Sequence, residues 1–124
     1  MTKYNQLIDI KEILNEYSND IQEGITDAAI QIAESGKNEL KATSPKRTGS
    51  YRKGWRVDKR SGKGFVHTTI YNATNWQLTH LLEKPHLKRD GVNYTTPIVH
   101  IAPVEKKCIA EFQKDVEQII KNGG

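Results

Sequence analysis

Between Leu7 and Leu40 the apolar side chains Leu7, Ile10, Leu14, Tyr17, Ile21, Ile25, Ala28 and Ile32 recur at steps of three and four, the period of a helix that buries one face. A chain of 124 residues has room for one core, so a helix of this length supplies much of it and the rest of the fold must be built against it. The spacing predicts a long N-terminal amphipathic helix within a single structural domain spanning 1–124. Ser18-Asn19-Asp20 followed by Gln22 offers short polar side chains to free backbone amides, so a fresh helix start, and a break in the long helix, is expected near 18–20. Gly36 weakens the helix slightly, and Ser44-Pro45 ends it, because the residue before a proline is pushed out of the helical region. Packing onto a core accounts for this helix without a coiled-coil partner.

The remainder reads as α+β. Pro45, Gly49 and Gly54 punctuate a mobile, basic connection. A hairpin over 55–71 follows, with strands Trp55–Lys59 and Phe65–Tyr71 around the glycine-bearing turn Arg60-Ser61-Gly62-Lys63-Gly64, which predicts a small antiparallel sheet. In the second strand Phe65, His67, Thr69 and Tyr71 share one face while Val66, Thr68 and Ile70 share the other. Thr74 with Gln77 three residues on forms a capping box for a short helix over 75–83, stopped by Pro85. His86 to Asn93 reads as a polar loop turning at Asp90-Gly91, and Tyr94 to Ile101 as one or two short strands interrupted by Pro97. Pro103 fits the first position of a C-terminal helix over 103–121, with Val104, Cys108, Phe112, Val116, Ile119 and Ile120 as its apolar stripe.

Charge is distributed unevenly. Residues 1–45 carry 4 basic and 8 acidic side chains, a balance of −4; residues 46–64 carry 8 basic and 1 acidic, +7; the rest is near neutral at +1. An acidic and a basic segment in one chain attract each other within the fold or across to a neighbouring copy. The 35% apolar and 27% charged content is lean enough that partners contribute to stability. Cys108 is the single cysteine, which excludes an internal disulfide and reads as a small buried hydrophobe. No run of about 18 apolar residues occurs, and the start lacks a signal peptide's apolar stretch, so a soluble protein made in the cytoplasm, without membrane contact, is expected.

Chemistry is hard to find in the residues. His67, His80, His86 and His100 do not pair with one another or with Cys108 at metal-ligand spacing, so no metal and no cofactor is expected. The nucleophile, phosphate-loop and dinucleotide motifs are absent. Glu83 beside His80 and His86 reads as a solvated helix end. A toxin-like or hydrolytic enzyme would need a convergent catalytic group, and none is visible. The charged feature that stands out is Lys46, Arg47, Arg52, Lys53, Arg56, Lys59, Arg60 and Lys63, interleaved with Tyr51 and Trp55, a set able to neutralise phosphates or acidic protein surfaces. No DNA-reading helix or RNA-binding motif accompanies it.

Three stretches, in order, resemble one known family. Ala42-Thr43-Ser44-Pro45-Lys46-Arg47-Thr48-Gly49-Ser50-Tyr51-Arg52-Lys53-Gly54-Trp55 is similar to the proline, basic, Thr-Gly segment of a phage tail-component family whose type member is gene product ten of a lambdoid phage. Ile70-Tyr71-Asn72-Ala73-Thr74-Asn75-Trp76-Gln77-Leu78-Thr79-His80-Leu81-Leu82-Glu83 resembles its strand ending in Tyr-Asn and helix ending in Leu-Leu-Glu. Thr96-Pro97-Ile98-Val99-His100-Ile101-Ala102-Pro103 resembles its closing strand and the proline that opens the last helix. The chain departs from the family after Glu83, where Lys84-Pro85 replace an aromatic and a glycine.

The resemblance implies an α+β fold, a structural role in the neck or tail of a virion after assembly in the host cytoplasm, partners among head-completion and tail proteins, and rings of identical subunits. It implies no catalytic residues. A ring repeats one contact between two different faces, which the uneven charge supplies: the basic 46–64 segment on one copy is expected to meet acidic positions such as Glu12, Glu16, Asp20 and Glu23 on the next, or to line a channel for non-specific DNA contact. The competing reading is a small basic nucleic-acid-binding module, whose affinity for duplex DNA falls steeply with salt.

Overall fold

The computed structural model describes residues 8–45, 49–83, 85 and 87–123. Its elements run β1 (Ile8–Ile13), α1 (Asn19–Thr43), α2 (Ser50–Lys53), β2 (Trp55–Gly62), β3 (Phe65–Asn72), α3 (Trp76–Glu83) and α4 (Ile101–Lys121). The fold is α+β, with a three-stranded antiparallel sheet in the order β1-β3-β2 and both long helices on one of its faces.

The long helix begins where its cap predicts. Ser18 Oγ accepts the Ile21 amide at 3.3 Å, and Gln22 Nε2 donates to the Tyr17 carbonyl at 2.9 Å. At the other end Ser44 is the C-cap, its amide donating to the Leu40 carbonyl at 2.9 Å. The stretch before the break is a correction, because residues 8–13 form strand β1 and not a helical turn. Ile8 and Ile10 are buried while their neighbours are exposed, and Ile8 pairs with Ile70 and Ile10 with Thr68 of β3. A β-branched run gains more by covering the open side of β3 than by adding a turn to a helix already capped at Ser18.

The hairpin forms with a tighter turn than the sequence suggested. Gly62 pairs with Phe65, leaving Lys63-Gly64 as a two-residue loop with Gly64 at φ +84°, a conformation that favours glycine. The alternation in β3 is as expected: Val66, Thr68, Ile70 and Asn72 are buried and the intervening residues face outward. The connection before the hairpin is not free, since the described part holds the short α2, whose Tyr51 is fully buried.

Helix α4 starts at Ile101, so Pro103 lies in its first turn, two residues later than expected and still where no amide partner is lost. It runs antiparallel to α1: Lys107 Nζ reaches Glu39 at 2.9 Å, and near its far end Ile119 lies against Gly24. Gly36 sits where α1, α4 and β3 converge. A Cβ there would stand 2.7 Å from Cys108 Sγ and 2.9 Å from Ile70 Cδ1, so the residue that weakens the helix in isolation lets the two helices approach. Ile25, Ala29, Ile32, Ala33, Leu40, Val104, Cys108 and Phe112 close the core over Ile8, Ile10, Val66 and Ile70.

Residues 94–101 form no strand. An isolated bridge joins Leu87 to Tyr94, and the rest of the segment is irregular until α4 begins. Its β-favouring side chains have no sheet edge beside them, and without a partner strand propensity is not expressed.

Candidate assembly interface

The sheet has two distinguishable ends. At one end lie the hairpin turn, the end of β1 and the start of α1, tied together by the Leu14 amide donating to Gly64 O at 2.7 Å and the Gly64 amide donating to Gln22 Oε1 at 3.2 Å. At the other end β2 starts, β3 ends, and α2, α3 and the start of α4 gather.

The four acidic residues singled out in the sequence collect at the turn end, though not on one helix. Glu12 is on β1, Glu16 in the turn before α1, and Asp20 and Glu23 in the first turns of α1; all four are exposed. Of the basic residues, Lys46 and Arg47 lie outside the described residues. Arg52 turns inward, its Nε donating to the Ser44 carbonyl at 2.6 Å, and Arg56 Nη1 donates to the carbonyls of Lys53 and Trp55 at 2.5 and 2.9 Å. These bonds orient the guanidinium groups without cancelling their charge. Lys59 pairs with Glu34 of α1 at 3.3 Å and Arg60 with Asp58 at 3.0 Å. The ammonium groups of Lys37, first, and Lys59 hold the Glu34 carboxyl below the usual carboxylate range against the opposing effect of burial. Lys53 and Lys63 point to solvent. Part of the basic segment's charge is therefore matched inside its own chain, and Lys53, Lys63 and the two guanidinium groups remain to act outward.

At the opposite end lies a polar cluster that the sequence did not reveal. The three stretches that carry the family resemblance meet here. Glu83, at the end of α3, accepts the backbone amides of His100 and Ile101 on Oε1 at 2.6 and 2.9 Å and of Ala102 on Oε2 at 3.2 Å. A carboxylate thus sits on the N-terminus of α4, where unpaired amides and the helix dipole favour negative charge. The His100 side chain, 3% exposed, lies with Nδ1 2.8 Å from both Glu83 Oε1 and the Ile98 carbonyl; facing two acceptors, Nδ1 carries the proton. The Tyr51 hydroxyl donates to Nε2 at 2.6 Å, and burial, helped by the Glu83 charge, pushes the phenol pKa well above its ordinary value.

Trp55 packs edge-on to Tyr51 at 5.5 Å and donates its indole N–H to Ser44 Oγ at 2.8 Å. Asn72 completes the joint: Nδ2 donates to the Tyr51 carbonyl at 2.7 Å, and Oδ1 accepts the Asn75 amide at 2.8 Å. Thr74, expected to cap α3, donates its hydroxyl to the Ser50 carbonyl at 2.8 Å. Glu83 is likewise not a solvated helix end, since its side chain is 6% exposed. A tyrosine, a histidine and a glutamate in line invite a catalytic reading, but here each polar atom is used to join α2, α3 and α4 to the sheet. Among the described residues no group of three or more His, Cys, Asp or Glu side chains is placed to hold a metal ion. Among them, too, no helix is long and apolar enough to cross a membrane.

Fold and site together define a small α+β domain whose distinctive side chains fasten its elements and whose outward features are charge and apolar surface. The family model described as "Bacteriophage HK97-gp10, putative tail-component" matches residues 8–84, which is more than half of the chain, and the protein belongs to this family of phage tail components. Membership gives it a structural role in a tailed phage and a place in the virion. No curated protein and no solved structure gives a significant match.

Proposed function

We propose that this chain is a neck or tail-completion component that works by assembling with copies of itself into a ring, and through the ring with adjacent head-completion and tail proteins. The observation that carries the reading is the family match over residues 8–84. The charge layout supports it. Glu12, Glu16, Asp20 and Glu23 are exposed at the turn end, while Arg52, Lys53 and Arg56 stand at the other, so one copy's basic end faces the next copy's acidic end in a head-to-tail arrangement.

Lys53→Glu tests this, because the side chain is exposed at the basic end and does not hold the backbone as Arg52 and Arg56 do. The expected result is loss of the ring from native mass spectra, with the far-ultraviolet circular dichroism unchanged. Rings of unchanged mass would overturn the protein-contact role. Such rings, if they then failed in DNA delivery, would point to a basic strand lining the channel.

A further inference from the structure

Nine large apolar side chains are exposed among the described residues, and they are not scattered. Five of them, Leu87, Val92, Tyr94, Ile98 and Val99, lie on the segment 87–99 between α3 and α4, with Val92 75% and Tyr94 64% exposed. The outer part of this segment is a built arm and not a slack loop. The Lys88 amide donates to the Asn93 carbonyl at 2.7 Å, and Asp90 Oδ1 accepts the amides of Val92 and Asn93 at 2.9 and 3.0 Å. A preordered arm that presents apolar side chains to water gives up little entropy on docking.

Two more of the nine, Ile13 at 72% and Phe65 at 43% exposure, pair across β1 and β3 on the sheet face that carries no helix. They line a shallow depression of about 470 Å³ together with Lys11, Glu12, Val66 and His67. Arm and depression are rooted at opposite ends of the sheet: β3 begins at Phe65, in the depression, and ends at Asn72, which bonds Tyr51 and through it reaches His100 where the arm enters α4, a separation of roughly 23 Å at the usual rise per strand residue. Charge favours the match: Lys88 and Arg89 are exposed on the arm, Glu12 lines the depression beside Lys11, and Glu16 is exposed in the turn that follows β1.

We propose that the 87–99 arm of each copy seats on the Ile13–Phe65 depression of the next copy. The contact joins two non-identical surfaces at opposite ends of the molecule, so it propagates around a closed ring. The proposal rests on the ring reading above and names the contact that builds it.

Val92→Cys and Ile13→Cys, made in separate chains, test it; both positions are exposed, and the native Cys108 is buried and stays in place. Mixed and treated with a short bis-maleimide, the two variants should give a cross-linked dimer that neither gives alone, and the double variant should give a ladder of multimers. Val92→Asp with Tyr94→Asp should weaken association at least about tenfold while leaving the circular dichroism unchanged. Oligomers by native mass without the Val92–Ile13 cross-link would overturn the arm contact and leave the ring reading standing. A chain that stays monomeric and uncross-linked at its solubility limit would overturn both. Oligomers that survive the two aspartates would mean that the arm docks on another virion layer, which also overturns the proposal.

Discussion

Replacing Glu83 by alanine removes the acceptor for three backbone amides at the start of α4 and the partner of His100 Nδ1. Hydrogen bonds to a charged group are each worth about 1.5–3 kcal/mol net. The Ala102 amide belongs to an exposed residue, so water can replace the carboxylate there. The amides of His100 and Ile101 belong to buried residues and stay unsatisfied. Counting those two and allowing for non-additivity gives a loss of roughly 3–5 kcal/mol, a large share of the ~5–15 kcal/mol that holds a domain folded. At this chain length each kcal/mol moves the midpoint by about 3–6 °C, so Glu83→Ala should lower Tm by roughly 10–30 °C in a circular dichroism melt. Glu83→Gln keeps one acceptor oxygen and loses the charge, and should cost about half as much. A Glu83→Ala protein within ~1 kcal/mol of wild type would refute the view that this carboxylate fastens α4 to the domain.

Gly36→Ala should destabilise by about 1–2 kcal/mol in urea titrations, because the clash with Cys108 and Ile70 outweighs the ~1 kcal/mol gained in helix propensity; adding Cys108→Ala should restore most of the loss, and an unchanged midpoint for the single variant would contradict the close packing. Burial, helped by Glu111 and Glu39, pushes the Cys108 thiol pKa up to about 11 from 9.0. The thiol should therefore resist disulfide reagents at pH 8 until the chain unfolds. Because the unfolded chain ionises this group first, its contribution to stability is complete below pH 9.0 and is lost as the pH rises toward 11. The upward shift at Tyr51 acts in the same direction above its ordinary 10.0, so the denaturation midpoint should fall steadily with pH in this alkaline range, and a flat profile would count against both burials.

What could be read from the sequence depended on whether a residue's partner was near it in the chain. The start of α1 was legible because Ser18 and the amide it caps are three residues apart. The hairpin was legible because its two strands flank one glycine turn. Strand β1 was hidden: Ile8 and Ile10 fit a period of two, yet Ile10 and Leu14 also continue the helical period, and only pairing with a strand some sixty residues away decides between them. The strands expected over 94–101 failed for the converse reason, since their propensity met no free edge. In the candidate interface the excess of positive charge was visible by counting, but the neutralisation of Lys59 by Glu34 was not. The role of Glu83 depends on amides 17 to 19 residues further on, which no local pattern encodes.

Whether this chain is a structural part of the virion can be read by quantitative mass spectrometry of purified particles from the phage or prophage that encodes it. The expected result is a small, fixed number of copies per particle, with antibody label at the junction of head and tail. Intact, tailed particles that contain none of it would contradict the account.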